Sequence, residues 1–82
     1  TNDTFNIHTA TVNSAYLVIA NANDSLTNAI AFVNTGSNAS TMRITLMGGS
    51  YNTTVTGSGT AIQITNGYGS SLTYTYRVIQ IQ

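Results

Sequence analysis

Apolar and polar residues alternate over short stretches of this chain, a pattern typical of β-strands. Val, Ile, Thr and Tyr gather in these stretches, and Gly, Asn and Ser separate them. The pattern predicts strands at residues 5–12, 15–20, 29–34, 42–47, 51–56, 61–65 and 72–81. Asn66-Gly67 predicts a turn, because both residues tolerate a positive φ. We therefore expect one all-β domain over residues 1–82, a seven-strand β-sandwich with an immunoglobulin-like or related Greek-key path.

Two of the predicted strands are apolar on both faces. Every residue of 15–20 is apolar, as in a strand that is covered on both sides. One face of the last strand holds Leu72, Tyr74, Tyr76 and Val78. Ile79 and Ile81 fall on its other face, so either a bulge near Val78 shifts the alternation or both faces are covered. In the second case Ile79 and Ile81 would contact a neighbouring subunit.

Charged residues are scarce and balanced. They make up 5% of the chain, against about a quarter in an ordinary domain, and the formal net charge is zero. The four are Asp3, Asp24, Arg43 and Arg77. Without charge repulsion, association between copies is favoured. Nucleic acid is not an expected partner, because binding phosphates requires clustered Lys and Arg.

The side chains that perform catalysis or hold metals are almost absent. His8 is the only imidazole, and the chain has no Cys. A metal site needs several converging ligands, and an activated nucleophile needs an oriented base. Glycoside hydrolysis needs two carboxylates, and both Asp residues lie in sequons. We therefore expect no enzyme, no metal site and no cofactor.

No apolar run approaches the roughly 20 residues of a membrane-spanning helix, so no membrane span is expected. The longest run, 15–20, has the length of a strand. No signal-like segment opens the chain, and Thr1 fits the first residue of a processed protein or of an excised domain.

Four Asn-x-Ser/Thr sequons fall at the start of the chain, in predicted turns or at a strand start. Their acceptor residues are Asn2, Asn23, Asn38 and Asn52. A chain rich in Asn, Ser and Thr also produces sequons by chance. We expect at least one to carry an N-linked glycan, which would hydrate a surface that has few charges.

The first predicted strand has two interpretations. Its apolar residues are Phe5, Ile7, Ala10 and Val12. They could pack on their own domain, as in any first strand. Alternatively, residues 1–12 form a donor strand that completes the sheet of the next subunit. Such exchange would close a sheet edge and propagate a filament.

Tyr74 and Tyr76 project from one face of the last strand. Aromatic rings on a flat sheet bind sugars in many carbohydrate-binding modules, but this chain has no Trp to assist them. Packing in a core or subunit interface, with the hydroxyls at its rim, is the favoured interpretation.

The middle of the chain resembles surface proteins of archaea. Residues 31–38 read AFVNTGSN, and residues 41–46 read TMRITL. This strand–turn–strand is similar to stretches in the β-sandwich heads of archaeal type IV pilins and flagellins and of other archaeal filament subunits. The resemblance covers about a third of the chain. Those pilins and flagellins begin with a long hydrophobic helix, which this sequence lacks, so a filament would have to assemble through β-structure.

Composition and resemblance together predict an extracellular, cell-surface structural subunit whose partners are copies of itself. A virion or phage fibre or decoration domain has the same composition and is one alternative. A monomeric carbohydrate-binding or adhesive module is a second, and a single domain of a larger surface protein is a third.

Overall fold

The computed structural model describes residues 3–23, 27–49, 53–67 and 72–82. These residues form strands and connecting segments, and none of them is helical. The strands are β1 (Asp3–Thr9), β2 (Ala15–Ala22), β3 (Asn28–Thr35), β4 (Met42–Gly49), β5 (Thr53–Ser58), β6 (Ala61–Asn66) and β7 (Tyr74–Gln80). The predicted all-β class and its seven strands are confirmed. Residues 51 and 52, the predicted start of the fifth strand, lie outside the described residues.

The strands form two antiparallel sheets, with the orders β1-β6-β5 and β4-β3-β2-β7. Strands β2, β3 and β4 follow one another in a meander, and β7 returns beside β2 after the β5–β6 pair. A meander whose first strand pairs with a returning strand is a Greek-key arrangement. Neither sheet of a seven-strand, constant-type immunoglobulin domain contains three consecutive strands. Of the two predicted paths, the related Greek key is therefore the one that forms.

The core lies between the two sheets and is built from alternating residues. Tyr16, Val18 and Ala20 point inward from β2, and Ile62 and Ile64 meet them from β6. The other buried apolar residues are Ala10, Ala29, Ala31, Val33 and Val55. Many of these side chains are small, which allows the sheets to approach closely. Gly57 marks one such approach, since a Cβ there would lie 2.5 Å from the Met42 sulfur.

Strand β1 ends at Thr9, three residues before the predicted end at Val12. The Ala10 amide donates to the Thr60 carbonyl at 2.7 Å, and the chain then turns at Asn13, whose φ is 51°. Asparagine tolerates this left-handed conformation better than most residues. Polar side chains in this turn bond to one another and to the backbone, which ends the strand.

Candidate functional site

The four-stranded sheet has an inner face, which covers the core, and an outer face. Along β2, the buried Tyr16, Val18 and Ala20 alternate with Leu17 and Ile19, which are half-buried. Residues paired directly across an antiparallel ladder share a face. Leu17 pairs with Phe32 on β3 and with Ile79 on β7, so these side chains lie together on the outer face.

Further apolar residues extend this group. Ile19 pairs with Ile30, and the Ile81 amide donates to the Ala15 carbonyl at 2.7 Å. We define the outer apolar face as Leu17, Ile19, Ile30, Phe32, Ile79 and Ile81. Phe32, Ile79 and Ile81 are 41%, 43% and 56% exposed. Single exposed apolar residues are ordinary, but a contiguous group at the centre of a sheet indicates an interaction surface.

Strand β7 pairs with β2 from Tyr74 to Gln80 without a shift in register. The bulge predicted near Val78 as one alternative is therefore wrong. Ile79 and Ile81 are instead on the face opposite Val78, which packs on the core. The second alternative, that both faces of the strand are covered, stays a prediction, because Ile79 and Ile81 are exposed in the single chain.

Polar groups border the outer apolar face. Arg43 and Arg77, the only cations apart from His8, lie on the two edge strands β4 and β7. Arg43 pairs with Asn34, and Arg77 pairs with Ile19. A shallow groove of about 430 Å³ runs over β2 and β7, lined by Ile19, Asn21, Thr75, Tyr76, Arg77 and Ile79. An apolar centre with a polar rim is the usual anatomy of a protein–protein interface. Asp24, whose carboxylate could pair with an arginine, lies outside the described residues.

The predicted aromatic pair on β7 contacts the first strand. The rings of Tyr74 and Tyr76 lie 5.8 and 6.4 Å from the Phe5 ring, centroid to centroid. The Tyr74 hydroxyl is also 2.7 Å from the Thr53 hydroxyl, with which it shares a hydrogen bond. Tyr74 is thus held in the sandwich edge, whereas Tyr76 is 45% exposed. Of the two residues proposed for a sugar-binding face, Tyr76 is the accessible one.

Strand β1 lies at an edge of its own three-stranded sheet, paired with β6, and its register shifts between Asn6 and His8. Ile7 packs on the core of the same chain, and Ala10 belongs to that core at 4% exposure. As the chain is folded here, Ala10 therefore offers no surface to a neighbour. Val12 lies in the turn after the strand and is 52% exposed.

The structure describes two of the four sequon asparagines, Asn23 and Asn38. Asn23 is exposed, and its side-chain oxygen accepts from the Thr73 amide at 3.3 Å. Asn38 is exposed in the β3–β4 turn, where its side-chain oxygen accepts from the Ser40 amide at 3.0 Å and from the Ser40 hydroxyl at 2.7 Å. Both bonds are accepted by the Asn38 side-chain oxygen, and neither uses its amide nitrogen. Asn2 and Asn52 lie outside the described residues.

A buried polar network fixes the β1–β2 turn. The Tyr16 hydroxyl, at the end of a fully buried side chain, accepts from the Thr11 amide at 3.0 Å. The Thr35 hydroxyl donates to the Thr11 carbonyl and accepts from the Ser14 amide. Burial raises the pKa of Tyr16, but its hydrogen bonds with Thr11 and Ser14 lower it by more, so the pKa lies below the usual 10.0. Within the described residues, the other side chains of this network are those of Thr11, Ser14 and Thr35.

His8 is exposed on β1, with its ring 5.0 Å from the Tyr16 ring in an edge-on contact. Within the described residues, no three His, Cys, Asp or Glu side chains come together as metal ligands. Among the same residues, no helix has the length and apolar character needed to cross a lipid bilayer.

The outer apolar face was only partly evident from the sequence. Ile79 and Ile81 were predicted contact residues, but Leu17, Ile19, Ile30 and Phe32 were not. Their signal was the unbroken apolar run at 15–20, which the alternation rule assigns to both faces. Comparison with known proteins adds no further assignment: no protein-family model, curated protein or solved structure matches this chain.

Proposed function

We propose that this protein is a structural subunit of an extracellular filament or pilus-like surface appendage, which assembles from copies of itself through its β-sheets. The observation that carries the proposal is the outer apolar face, which the described part of the chain leaves uncovered. A non-catalytic role agrees with a composition that has one imidazole and no Cys.

Burial of this face supplies a driving force of useful size. Three of the six apolar side chains are about half exposed and the other three are less exposed, so covering each contributes about 1 kcal/mol or less. Six side chains on each of two copies then contribute at most about 12 kcal/mol, which is comparable to the cost of association, about 4–15 kcal/mol. One contact is therefore weak by itself, and an assembly with several contacts per subunit is much stronger.

The charge distribution supports self-association. Among the described residues, the charged side chains beside the outer apolar face are those of Arg43 and Arg77, and the sequence has a formal net charge of zero. Copies that approach one another meet little long-range repulsion. Hydroxyl and amide groups at the rim can hydrogen-bond across an interface without an ion pair.

The donor-strand alternative stays a prediction. Strand β1 pairs with β6 of its own chain, and an exchange would remake the same bonds with β6 of the next copy. We expect deletion of residues 1–11 to yield monomers if exchange joins the subunits. Undiminished polymerisation of that variant would rule the donor role out.

An extracellular location and N-linked glycans belong to the same proposal. Asn38 is the strongest acceptor among the described sequons, because it is exposed in a turn with its amide nitrogen accessible. Intact mass of the native protein tests this directly. A mass equal to the bare chain of 8.6 kDa would end the glycan hypothesis.

Assembly is tested by negative-stain electron microscopy together with sedimentation of the native chain. We expect regular filaments, and we expect the variant F32T/I79T to sediment as a monomer. Threonine keeps the strand propensity of both positions. The matched control is V12T, which removes an equally exposed apolar side chain from the turn. A native chain that stays monomeric at high concentration would contradict the proposal, and a discrete trimer would favour the virion-fibre alternative.

The exposed ring of Tyr76 favours a second candidate function, a carbohydrate-binding or adhesive module. This ring is 45% exposed and lies on the side of β7 that faces Phe5, opposite Thr75 and Arg77. A sugar ring could pack on the exposed part of Tyr76. A glycan array probed with a monomeric chain tests this function. Binding that Y76A abolishes would support it, and an array without signal would remove it.

A further inference from the structure

We infer that the outer apolar face packs against the same face of a second copy, with the two copies related by a two-fold axis. This inference rests on the proposed function, because it names the partner of that surface. It adds that the repeating unit of the assembly is a symmetric pair, joined sheet to sheet rather than edge to edge.

The size of the face fits a weak contact with this occupant. Four strands about 4.8 Å apart, with same-face residues about 6.7 Å apart along each strand, present about 400 Å² in three rows. Two copies would then bury about 800 Å² together, which is in the range of weak interfaces. A sheet packs most completely against another sheet, at a spacing of about 10 Å. The same face of a copy is such a sheet, with matching width.

The register of the strands divides the face into rows. The middle row, in the order of the strands, is Thr45, Phe32, Leu17 and Ile79. The row on one side is Arg43, Asn34, Ala15 and Ile81. The row on the other side is Gly48, Ile30, Ile19 and Arg77. The β3–β4 register shifts at Ile30, so the exposed Met47 is an extra residue beside Gly48. Apolar residues dominate the centre, and the two arginines occupy diagonally opposite corners.

Because the arginines lie at diagonally opposite corners, two copies of the face can pack together without placing one arginine against another. If a two-fold axis crosses the middle row along the strands, Arg43 faces Ile81 of the copy and Arg77 faces its Gly48. If the axis runs across the strands, Arg43 faces Gly48 and Arg77 faces Ile81. In both arrangements no arginine meets an arginine, and each lies over a small or apolar residue along which its stem can extend. Like charges placed on the same row or strand would have opposed such pairing.

A two-fold contact is closed, because the face of one copy is fully covered by the same face of the other copy. A filament built from such pairs must therefore grow through a different surface. The outer apolar face joins two copies, and another part of the domain joins pair to pair. Disruption of this face should therefore yield monomers, unless the second contact is strong enough to hold single copies together in altered or shorter assemblies.

Cross-linking tests the inference, because the chain contains no cysteine. The reporters T45C and I79C lie in the middle row, one on each edge strand, and V12C is the matched control in the exposed turn. Assembled protein is treated with a short bifunctional maleimide, and cross-linked peptides are identified by mass spectrometry. Far-UV circular dichroism confirms that each variant folds.

An axis along the strands predicts cross-links in a mixture of T45C and I79C, and few in either alone. An axis across the strands predicts cross-links in each single variant and few between them. Either pattern, with roughly tenfold more product than V12C, supports the pair, because the interface raises the effective concentration of facing thiols. Assembled material in which neither reporter cross-links overturns the symmetric pair and leaves the proposed function standing. Protein that is monomeric throughout overturns both.

Discussion

The two faces of the four-stranded sheet come from the same strands, yet they have different surroundings. The inner face holds Tyr16, Val18 and Val33 and is covered by the sheet β1-β6-β5. The outer face holds Leu17, Phe32 and Ile79, and the described part of the chain does not cover it. Both faces are apolar at their centre, although one face of an antiparallel sheet is commonly polar. This difference is the observation from which we propose that the outer face is covered in an assembly.

Substitutions at two adjacent residues of β2, Val18 and Leu17, test the difference between the two faces most directly. The variant V18N places an amide in the core, where the loss of packing and the unpaired polar group together cost at least about 3 kcal/mol. A domain of this size has little stability to lose, so we expect largely unfolded protein. Chemical denaturation followed by circular dichroism measures the effect. A folded V18N with native stability would show that the inner face is not a packed core.

The neighbouring variant L17N changes the outer face instead. We expect its monomer to lose about 1 kcal/mol or less, because Leu17 is only half-buried in the single chain. Its association should weaken by about tenfold or more, since an amide at the interface centre leaves polar atoms unpaired. Sedimentation over a concentration series measures this change. If L17N destabilised the monomer as strongly as V18N, the two faces would be equivalent and the comparison would fail.

A smaller effect is expected at the end of the inner face. The variant Y16F removes the hydroxyl that accepts from the Thr11 amide and bonds to the Thr11 hydroxyl. We expect a loss of about 1–2 kcal/mol, because the Thr11 amide is left without this partner. Thermal melts of Y16F beside Y74F provide the measurement and its control, since Tyr74 bonds Thr53 at a more exposed edge. Equal losses in the two variants would contradict a special role for the buried network.

The smallest effect is expected from pH. The sequence has two carboxylate side chains, those of Asp3 and Asp24, and one imidazole, that of His8. The pKa of Tyr16 is lowered in the folded state, so its contribution to stability develops at alkaline pH and is lost as the pH falls through that folded-state pKa. We therefore expect the free energy of unfolding to change by less than about 2 kcal/mol from pH 2 to 8. A sharp acid transition in denaturation curves would contradict this.

The sequence alone determined the strand content of the domain. The alternation of apolar and polar residues located all seven strands, and clusters of Gly, Asn and Ser located the turns between them. Both signals are local properties of the sequence. Strand ends were less accurate. The end of β1 depends on the Ala10–Thr60 hydrogen bond and on the network around Tyr16, which join segments distant in sequence.

The outer apolar face shows what the tertiary structure decided. The sequence determined that β2 is apolar on both faces and that Ile79 and Ile81 break the alternation of β7. It left open whether a bulge restored that alternation, because a bulge is a property of two paired strands. Only the register placed Leu17 between Phe32 and Ile79 and set the two arginines at opposite corners. Strand pairing is a long-range contact, so the surface that it creates is decided by the fold.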